Sequence, residues 1–332
     1  MGNVKKKILV TKPIPEDVEE YLRDNCDVTI WNSNRMMPED QLAEALQDIT
    51  ALITTNKYKI DCELMSKSPE LKFVSNIAVG YNGFDIEEMK KRNVIGMHTP
   101  SVLDETVADL AFTLILSAAR RIGLLDHYVK DGKWTESIGK DLFGVNVYGK
   151  KLGILGLGRI GSKVAKRAKL GFDMEVSYFD AFRKEETEKE LGIQYAAIDM
   201  IMAESDFVLV MLPLMKETEN LIHYDKLNLM KPNAIFINSS RGEIVNEEDL
   251  IKILKEGKLF GAALDVFHEE PIRKDHPFLQ FDNVLTTPHI GSAVEETRNE
   301  MAWVAARNIV NSINGIGETF IVRELQELVQ KS

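Results

Sequence analysis

The sequence predicts an α/β protein built on parallel sheets. Short apolar runs of strand length alternate with helix-length amphipathic segments along almost the whole chain, which is the pattern of repeated βαβ units. The alternation occurs as two series, one beginning near residue 6 and the other near residue 151. A chain of 332 residues also exceeds the length that one hydrophobic core usually serves. We therefore expect two α/β domains.

The first series fills the first hundred residues. Apolar runs predict strands at 6–11, 27–31, 51–55, 71–76 and 93–98. Amphipathic segments between them predict helices at 15–25, 38–48, 61–68 and 85–92. These elements are sufficient for one compact α/β unit.

The second series follows a long helical stretch at 104–134, whose apolar residues repeat at helical spacing. This stretch is too long for a simple crossover helix and suits a link between domains or a subunit contact. A final helix is predicted at 294–315, and we expect it to return to the first domain. The strands of the second series are predicted at 151–158, 175–180, 206–212, 233–239, 260–266 and 283–287.

Charge and composition argue against several classes of protein. A net charge of −11 disfavours non-specific binding to nucleic acid, which depends on surplus lysine and arginine. The two cysteines, Cys26 and Cys62, show neither metal-site nor disulfide-framework spacing, which favours reduced thiols. The chain has no apolar signal core and no apolar run of about 18 residues. We expect a cytoplasmic protein that binds neither a membrane nor nucleic acid.

Residues 149–180 carry a signature of dinucleotide binding. A predicted strand leads into Gly156-x-Gly158-x-x-Gly161, a helix follows, and a second strand comes after it. In this pattern Gly156 permits the tight turn, and Gly158 lets the backbone approach a pyrophosphate. Gly161 allows the helix to pack closely on the strand. The full context makes incidental glycines a poor explanation.

The residues around this turn favour NAD over NADP. Arg159 and Ile160 begin the helix, whose free N–H groups and positive dipole end bind phosphate. Asp180 ends the following strand, where a carboxylate accepts hydrogen bonds from the adenosine ribose and repels a 2′-phosphate. Arg183 and Lys184 weaken that preference because cations attract the phosphate. We expect NAD, with NADP as the other candidate.

Charged side chains follow three predicted strands of the second series. Arg241 lies in the loop after the strand at 233–239. Glu269 and Glu270 follow the next strand, and His289 follows the last. Ligands of open α/β sheets bind at the carboxyl edge, so these side chains can meet in one cleft.

These residue types suit the reduction of a 2-keto acid by hydride. An arginine binds a carboxylate through two parallel hydrogen bonds. A histidine beside a carboxylate has its protonated form favoured and can donate a proton to a carbonyl oxygen. The reaction needs these three parts: a clamp for the carboxylate, a proton donor, and a group that orients the donor.

The order of motifs resembles the D-isomer-specific 2-hydroxyacid dehydrogenase family over almost the whole chain. The matching segments are "VGYNGFD" (79–85), "ETVADLAF" (105–112), "GLGRIG" (156–161), "NSSRG" (238–242), "DVFHEEP" (265–271) and "PHIGS" (288–292). The resemblance implies two Rossmann-like or flavodoxin-like domains with an active-site cleft between them. Residues 1–101 and 292–332 would form the substrate domain, and 102–291 the NAD-binding Rossmann domain.

The resemblance also implies roles for individual residues. The catalytic arginine falls on Arg241, the glutamate before proline on Glu270, and the acid/base histidine of Pro-His on His289. Backbone contacts to the substrate carboxylate fall on Val79 and Gly80, with Arg241 and His289. Cofactor contacts are expected at Thr106, Gly156, Gly158, Arg159, Ile160, Gly161, Asp180, Ser239, Ser240, Arg241, Asp265, His289 and Gly291. Asp265 is expected near the nicotinamide amide.

The remaining polar residues are assigned structural or solvated positions. We expect His268 and His276 at the surface, Glu269 in solvent, and His98 in a packing or hinge role. No His/Asp/Glu cluster has metal-ligand spacing, so no metal is predicted. Trp134 is either a core residue or a pocket wall for a second subunit, because the family implies a homodimer through 104–134.

The expected activity is that of an NAD(P)-dependent oxidoreductase acting on the CH–OH group of 2-hydroxy acids. Ser292 follows "PHIG" where the D-lactate branch carries aromatic residues, and little chain follows the last helix. The resemblance is therefore greatest to reductases of glyoxylate, hydroxypyruvate or 2-ketogluconate. A short phosphoglycerate dehydrogenase is one alternative. A protein of another class, a corepressor that senses NAD, is a second, since such proteins keep the same Arg, Glu and His.

Overall fold

A computed structural model describes residues 5–330, which fold as two compact units. Unit 1 is formed by the chain up to Leu103 and from Ala293 onward, and unit 2 by Asp104–Ser292. Each unit is built on a parallel sheet covered by helices. The α/β class predicted from the alternation of apolar segments is confirmed.

The sheet of unit 1 has, within the described range, five parallel strands in the order β2-β1-β3-β4-β5. This is the order of doubly wound, flavodoxin-like sheets. The strands are β1 (Lys7–Val10), β2 (Asp27–Ile30), β3 (Ala51–Thr54), β4 (Phe73–Asn76) and β5 (Ile95–Met97). The helices between them are α1 (Glu16–Asn25), α2 (Glu39–Leu46), α3 (Cys62–Ser66) and α4 (Ile86–Arg92). Each element lies within the corresponding predicted segment.

Unit 2 begins with two helices, α5 (Asp104–Ala119) and α6 (Ile122–Lys130). The continuous helical stretch predicted for 104–134 is therefore wrong. The helix breaks where Arg121 adopts a left-handed φ of 54°. The carbonyl of Ala119 then accepts the N–H of Val145 instead of continuing the helical ladder.

The sheet of unit 2 has seven parallel strands among the described residues, in the order β12-β11-β10-β9-β6-β7-β8. The strand order reverses between β6 and β9, and ligands of such sheets bind outside that point. The strands are β6 (Lys151–Leu155), β7 (Glu175–Phe179), β8 (Gln194–Tyr195), β9 (Phe207–Val210), β10 (Ile235–Asn238), β11 (Gly261–Leu264) and β12 (Val284–Thr286). The helices are α7 (Arg159–Phe172), α8 (Glu185–Leu191), α9 (Ile198–Glu204), α10 (Tyr224–Leu227) and α11 (Glu247–Lys255).

The apolar runs of unit 2 are explained by burial on both faces of its sheet. In β10, Ile235 and Ile237 face one core while Phe236 faces the other, and all three are fully buried. Alternate side chains of a strand point to opposite faces, so a strand covered on both sides needs an unbroken apolar run. The carboxyl ends of these strands are thereby held in a fixed row.

The chain returns to unit 1 through α12 (Glu295–Asn314), which packs on β3 and β4, and the last described element is α13 (Glu327–Gln330). Asn308 of α12 is buried and donates hydrogen bonds to Ser75 Oγ and the His98 carbonyl. Short 3₁₀ turns lie at Lys140–Leu142, Gly242–Ile244, Pro277–Gln280 and Arg323–Leu325.

Candidate active site

The glycine turn after β6 has a shape that larger residues cannot adopt. Gly156 has a left-handed φ of 106°, and a Cβ there would lie 2.6 Å from the Met211 carbonyl carbon. A Cβ on Gly161 would lie 2.2 Å from the Gly156 oxygen, so α7 packs directly on the turn. Gly158 caps α7 and has open space where a Cβ would be. The turn thus leaves a cradle at a helix N-terminus, as a pyrophosphate requires.

The first residue of α7 is tied to the start of α5. Arg159 Nε donates to Asp104 Oδ2 at 3.0 Å, and Asp104 is 5 % exposed. Burial raises the pKa of the Asp104 carboxyl, while the charge and hydrogen bond of Arg159 act to lower it. Half of the Arg159 side chain stays exposed beside the turn. The N-terminus of α7 therefore carries a cation that is held in place.

Asp180 lies directly against the glycine turn. Its Oδ2 accepts the N–H of Leu157 at 2.9 Å, and its Oδ1 accepts the N–H of Phe182 at 3.2 Å. The carboxylate is therefore fixed beside the turn, where the ribose of a dinucleotide lies in this fold. Arg183 turns toward Glu188 of α8, with Nη2 and Oε2 at 2.8 Å.

The loop after β10 is shaped by a residue that the sequence analysis did not single out. Asn238 is 1 % exposed, donates from Nδ2 to the Arg241 carbonyl and accepts the N–H of Ser240 at Oδ1. This pair of bonds closes the turn that presents Arg241. Asn238 ends an apolar strand, and a buried amide at that position is the signal that identifies it.

Two serines of this loop differ in their hydrogen bonding. Ser240 Oγ donates to the carbonyl of Leu212, which joins the exits of β9 and β10. Ser239 Oγ is buried and has no hydrogen-bond partner among residues 5–330. Buried polar groups without a partner are rare, and each needs a physical explanation such as a functional role or an absent bound group. Together with the open cradle at Gly158, this orphaned hydroxyl fits a bound dinucleotide.

The exits of β11 and β12 join Glu270 to His289. His289 Nδ1 donates to Glu270 Oε2 at 2.7 Å, and Glu270 Oε1 accepts the N–H of Phe267 at 3.1 Å. Burial acts to raise the pKa of the Glu270 carboxyl. The hydrogen bond and charge of His289, the Phe267 N–H and the charge of Arg241 outweigh it, so the pKa is lowered. Glu270 is therefore a carboxylate at neutral pH.

Arg241 lies on the neighbouring strand exit. Its Nη1 donates to the Ser240 carbonyl at 2.7 Å, which turns the guanidinium back over the loop. Burial lowers the pKa of the guanidinium, and the negative charges of Glu270 and Glu243 act in the opposite direction. An arginine stays charged under such a shift. The three strand exits thus carry a cation, a carboxylate and an imidazole within one unit.

Asp265 fixes the segment that carries His289. Its side chain is 1 % exposed, and Oδ1 accepts the Thr287 hydroxyl at 2.6 Å and the Ile290 N–H at 2.8 Å. Its Oδ2 accepts the Gly291 N–H at 3.1 Å. These bonds hold His289 in a left-handed conformation with a φ of 53°. Thr287, which sequence reasoning missed, belongs to this network.

Two histidines that are expected at the surface contact other parts of the protein. His276 is wrong as a surface residue, because its side chain is only 12 % exposed and its Nε2 lies 3.4 Å from Glu247 Oε2. His268 is exposed, yet its Nε2 donates to the Val245 carbonyl and its N–H to Glu247. Glu247 of α11 thereby holds both ends of the loop that carries Glu270. Glu269 points to solvent, as expected.

Three further residues were singled out from the sequence: Val79 and Gly80 as substrate contacts, and Trp134 as a core residue or pocket wall. Val79 and Gly80 belong to unit 1, where His98 Nδ1 donates to the Val79 carbonyl and Asn76 Nδ2 to the Gly80 carbonyl. Trp134 is 64 % exposed, so the core position considered for it is wrong. Among the described residues, no group of three His, Cys, Asp or Glu side chains is placed to hold a metal ion.

Comparisons with known proteins agree with this geometry. The family model for "D-isomer specific 2-hydroxyacid dehydrogenase, NAD binding domain" matches residues 112–291, more than half of the chain. The chain belongs to this family. It is therefore an NAD(P)-dependent oxidoreductase of 2-hydroxy acids, and the family predicted from its motifs is confirmed.

Individual relatives extend the match to almost the full length. A glyoxylate reductase of Pyrococcus furiosus is 42% identical over 327 residues, which are 97% of each chain. A glyoxylate/hydroxypyruvate reductase B of Klebsiella pneumoniae is 41% identical over 312 residues, 94% of this chain and 96% of the relative. The crystal structure of an NADPH-dependent glyoxylate/hydroxypyruvate reductase from Sinorhizobium meliloti, with NADP and malonate, aligns with a TM-score of 0.84. It is 29% identical and covers 97% of this chain and 98% of that one.

One further structural finding concerns membranes. Within residues 5–330, no helix combines the length and the apolar character needed to cross a bilayer.

Proposed function

We propose that the chain reduces a small 2-keto acid to the D-2-hydroxy acid with NADH, and that glyoxylate, hydroxypyruvate or 2-ketogluconate is its substrate. The observation that carries the proposal is the 2.7 Å hydrogen bond between Glu270 and His289, on strand exits next to that of Arg241. The names of the relatives support the first two substrates.

In this proposal each strand exit has one task. Arg241 binds the substrate carboxylate with its guanidinium fork. Glu270 accepts the hydrogen bond of His289 Nδ1 and thereby orients the imidazole. His289 Nε2 is the ring nitrogen that Glu270 does not engage, and it donates a proton to the carbonyl oxygen. The bound nicotinamide supplies the hydride.

Backbone N–H groups of unit 1 are proposed to add to substrate binding. The Gly80 N–H shares a peptide plane with the Val79 carbonyl, which His98 holds, and the Val79 N–H shares one with the Ala78 carbonyl, which accepts the Thr99 N–H. We assign both N–H groups to the substrate carboxylate. For the cofactor, we assign the pyrophosphate to the N-terminus of α7 and the adenosine ribose to Asp180, which favours NADH.

A substrate panel tests the proposed function. Purified protein is mixed with NADH or NADPH and with glyoxylate, hydroxypyruvate, 2-ketogluconate, pyruvate or 3-phosphohydroxypyruvate, and absorbance at 340 nm is followed. We expect the highest kcat/KM with one of the first three acids. The highest value with 3-phosphohydroxypyruvate would favour a phosphoglycerate dehydrogenase. Inactivity with every acid and both cofactors would refute the reductase.

We also propose that the chain forms a homodimer through its helical arm at 104–134. Every residue of α6 is exposed or half-buried, and the side chains of Ile122, Val129 and Trp134 are more than half exposed. An apolar surface of this kind is typical of an interface. Light scattering should give twice the mass of 37.5 kDa, and Trp134→Glu should lower it. A monomeric wild type would contradict the dimer.

The cellular location is proposed to be the cytoplasm. Cys26 and Cys62 are free, and Cys62 is exposed. A reducing compartment suits such thiols. Fractionation of cells that make the protein should recover it with cytoplasmic markers, and recovery in a secreted or membrane fraction would contradict this location.

A further inference from the structure

The segment after β7 contains a cation that is not free to bind a ligand. Arg183 is one of two basic residues close to Asp180, and such residues accommodate the 2′-phosphate of NADP in this fold. Its Nε donates to Glu188 Oε1 at 2.9 Å and its Nη2 to Glu188 Oε2 at 2.8 Å. This bidentate ion pair uses one edge of the planar guanidinium, the edge formed by Nε and Nη2.

Glu188 is itself anchored from the protein interior. The hydroxyl of Tyr178 donates to Glu188 Oε1 at 2.7 Å and accepts the N–H of Lys184 at 2.7 Å. Tyr178 is fully buried, and the Glu188 side chain is only 12 % exposed. Glu188 therefore cannot follow Arg183 if the guanidinium turns toward a ligand.

Glu188 is ionised at neutral pH. The hydrogen bonds from Arg183 and then from Tyr178 lower the pKa of Glu188 to about 2. Burial, and then the hydrogen bond to Glu188, raise the pKa of Tyr178 to about 12. The three side chains form one fixed network, in which the positive charge of Arg183 is already neutralised.

We propose that Glu188 determines the preference for NADH, because it holds the Arg183 guanidinium away from the 2′ position of the adenosine. An adenosine 2′-phosphate carries a charge near −2 at neutral pH. The carboxylate of Asp180 would repel this phosphate, and the Arg183 guanidinium would not attract it, because Glu188 already pairs with that charge. The inference rests on the proposed dinucleotide site at Asp180. Glu188 is a specificity-determining residue that acts through Arg183.

Glu188→Gln isolates this effect. Glutamine keeps the shape of the side chain and an oxygen that accepts the Tyr178 hydroxyl, so the fold is retained, as a melting temperature will verify. The variant lacks the charge that holds Arg183. We expect the Kd for NADPH to fall about tenfold and the Kd for NADH to stay within twofold, measured by nucleotide fluorescence. In an Arg183→Ala background the same substitution should change the Kd for NADPH less than twofold.

Glu186→Gln is the matched control. Glu186 lies on the same helix and is exposed, so the substitution removes the same charge without touching Arg183. An equal gain in Glu186→Gln would overturn the inference, as would a gain that persists without Arg183. An unchanged affinity of Glu188→Gln for NADPH, with normal NADH binding, would overturn the inference alone. A wild type that binds neither nucleotide would overturn the proposed function with it.

Discussion

Replacement of Glu270 by glutamine removes a charge while it preserves the shape of the side chain. In the structure both carboxylate oxygens are used. Oε1 accepts the N–H of Phe267 at 3.1 Å, and Oε2 accepts Nδ1–H of His289 at 2.7 Å. A glutamine has one oxygen and one NH₂ group, so it can satisfy only one of these two donors. Either the Phe267 N–H loses its acceptor, or His289 Nδ1 faces an NH₂ group and loses the hydrogen bond that orients the imidazole.

The cost of either arrangement sets the size of the effect. A donor left without an acceptor costs about 1–3 kcal/mol. The side chains of Glu270 and His289 are 36% and 44% exposed, so water relieves part of this cost. Since about 1.4 kcal/mol corresponds to a factor of ten in rate, kcat should fall about 10- to 100-fold.

The assay is NADH oxidation with the best acid from the substrate panel, from pH 5.5 to 8.5. Glu269→Gln is the matched control, because the neighbouring glutamate is 70% exposed and contacts only Arg273, at 3.5 Å, among the described ion pairs. Its kcat should stay within twofold of the wild type. If Glu270→Gln keeps more than half of the wild-type kcat across this range, then the Glu270 carboxylate is not needed to hold His289 and the reasoning is refuted.

Three further predictions concern the cofactor turn, the core and the acid range. Gly161→Ala places a Cβ 2.2 Å from the Gly156 oxygen, so the turn must shift. Because a shift of about 1 Å can cost about 100-fold in rate, kcat/KM for NADH should fall about 100-fold in steady-state kinetics. A fall of less than threefold would contradict this prediction. Phe236→Ala leaves a cavity at a fully buried position of the sheet, so the free energy of unfolding measured by urea titration should fall by about 3–5 kcal/mol. A fall of less than about 1 kcal/mol would contradict the buried position of this ring. Arg183 lowers the pKa of Glu188 from 4.5 to about 2, so this carboxylate stabilises the fold above pH 4.5 and loses its effect as pH falls toward 2. The difference in free energy of unfolding between the wild type and Glu188→Gln should therefore become smaller from pH 6 to pH 3.5. A difference that does not change with pH would contradict the ion pair between Arg183 and Glu188.

Much of the fold follows from local patterns in the sequence. Strands buried on both faces, such as β10 with Ile235 and Phe236, require unbroken apolar runs, and these runs were identified to within a few residues. Parallel strands end at one edge, so the loops after β10, β11 and β12 were expected to bring Arg241, Glu270 and His289 together. The choice of Glu270 over Glu269 depended on the family motif.

Other features depend on contacts that no local pattern reveals. The break between α5 and α6 has no proline signal and the nearest glycine, Gly123, lies inside α6, since the break depends on a left-handed Arg121 and on a bond between Ala119 and the distant Val145. His276 lies in a polar segment but is covered because Glu247, on α11, reaches it. Arg183 precedes its helix, so its pairing with Glu188 does not follow from helical spacing.

The most direct test of the proposed function is the stereochemistry of the product in wild type and His289→Ala. Hydroxypyruvate and NADH are incubated with each protein, and the glycerate formed is resolved by chiral chromatography. For the wild type we predict D-glycerate in a 1:1 ratio with the NADH consumed. For His289→Ala we predict a kcat at least about 100-fold lower, since a positioned proton donor contributes about 10²–10⁴-fold. L-glycerate, or an active His289→Ala, would contradict the account.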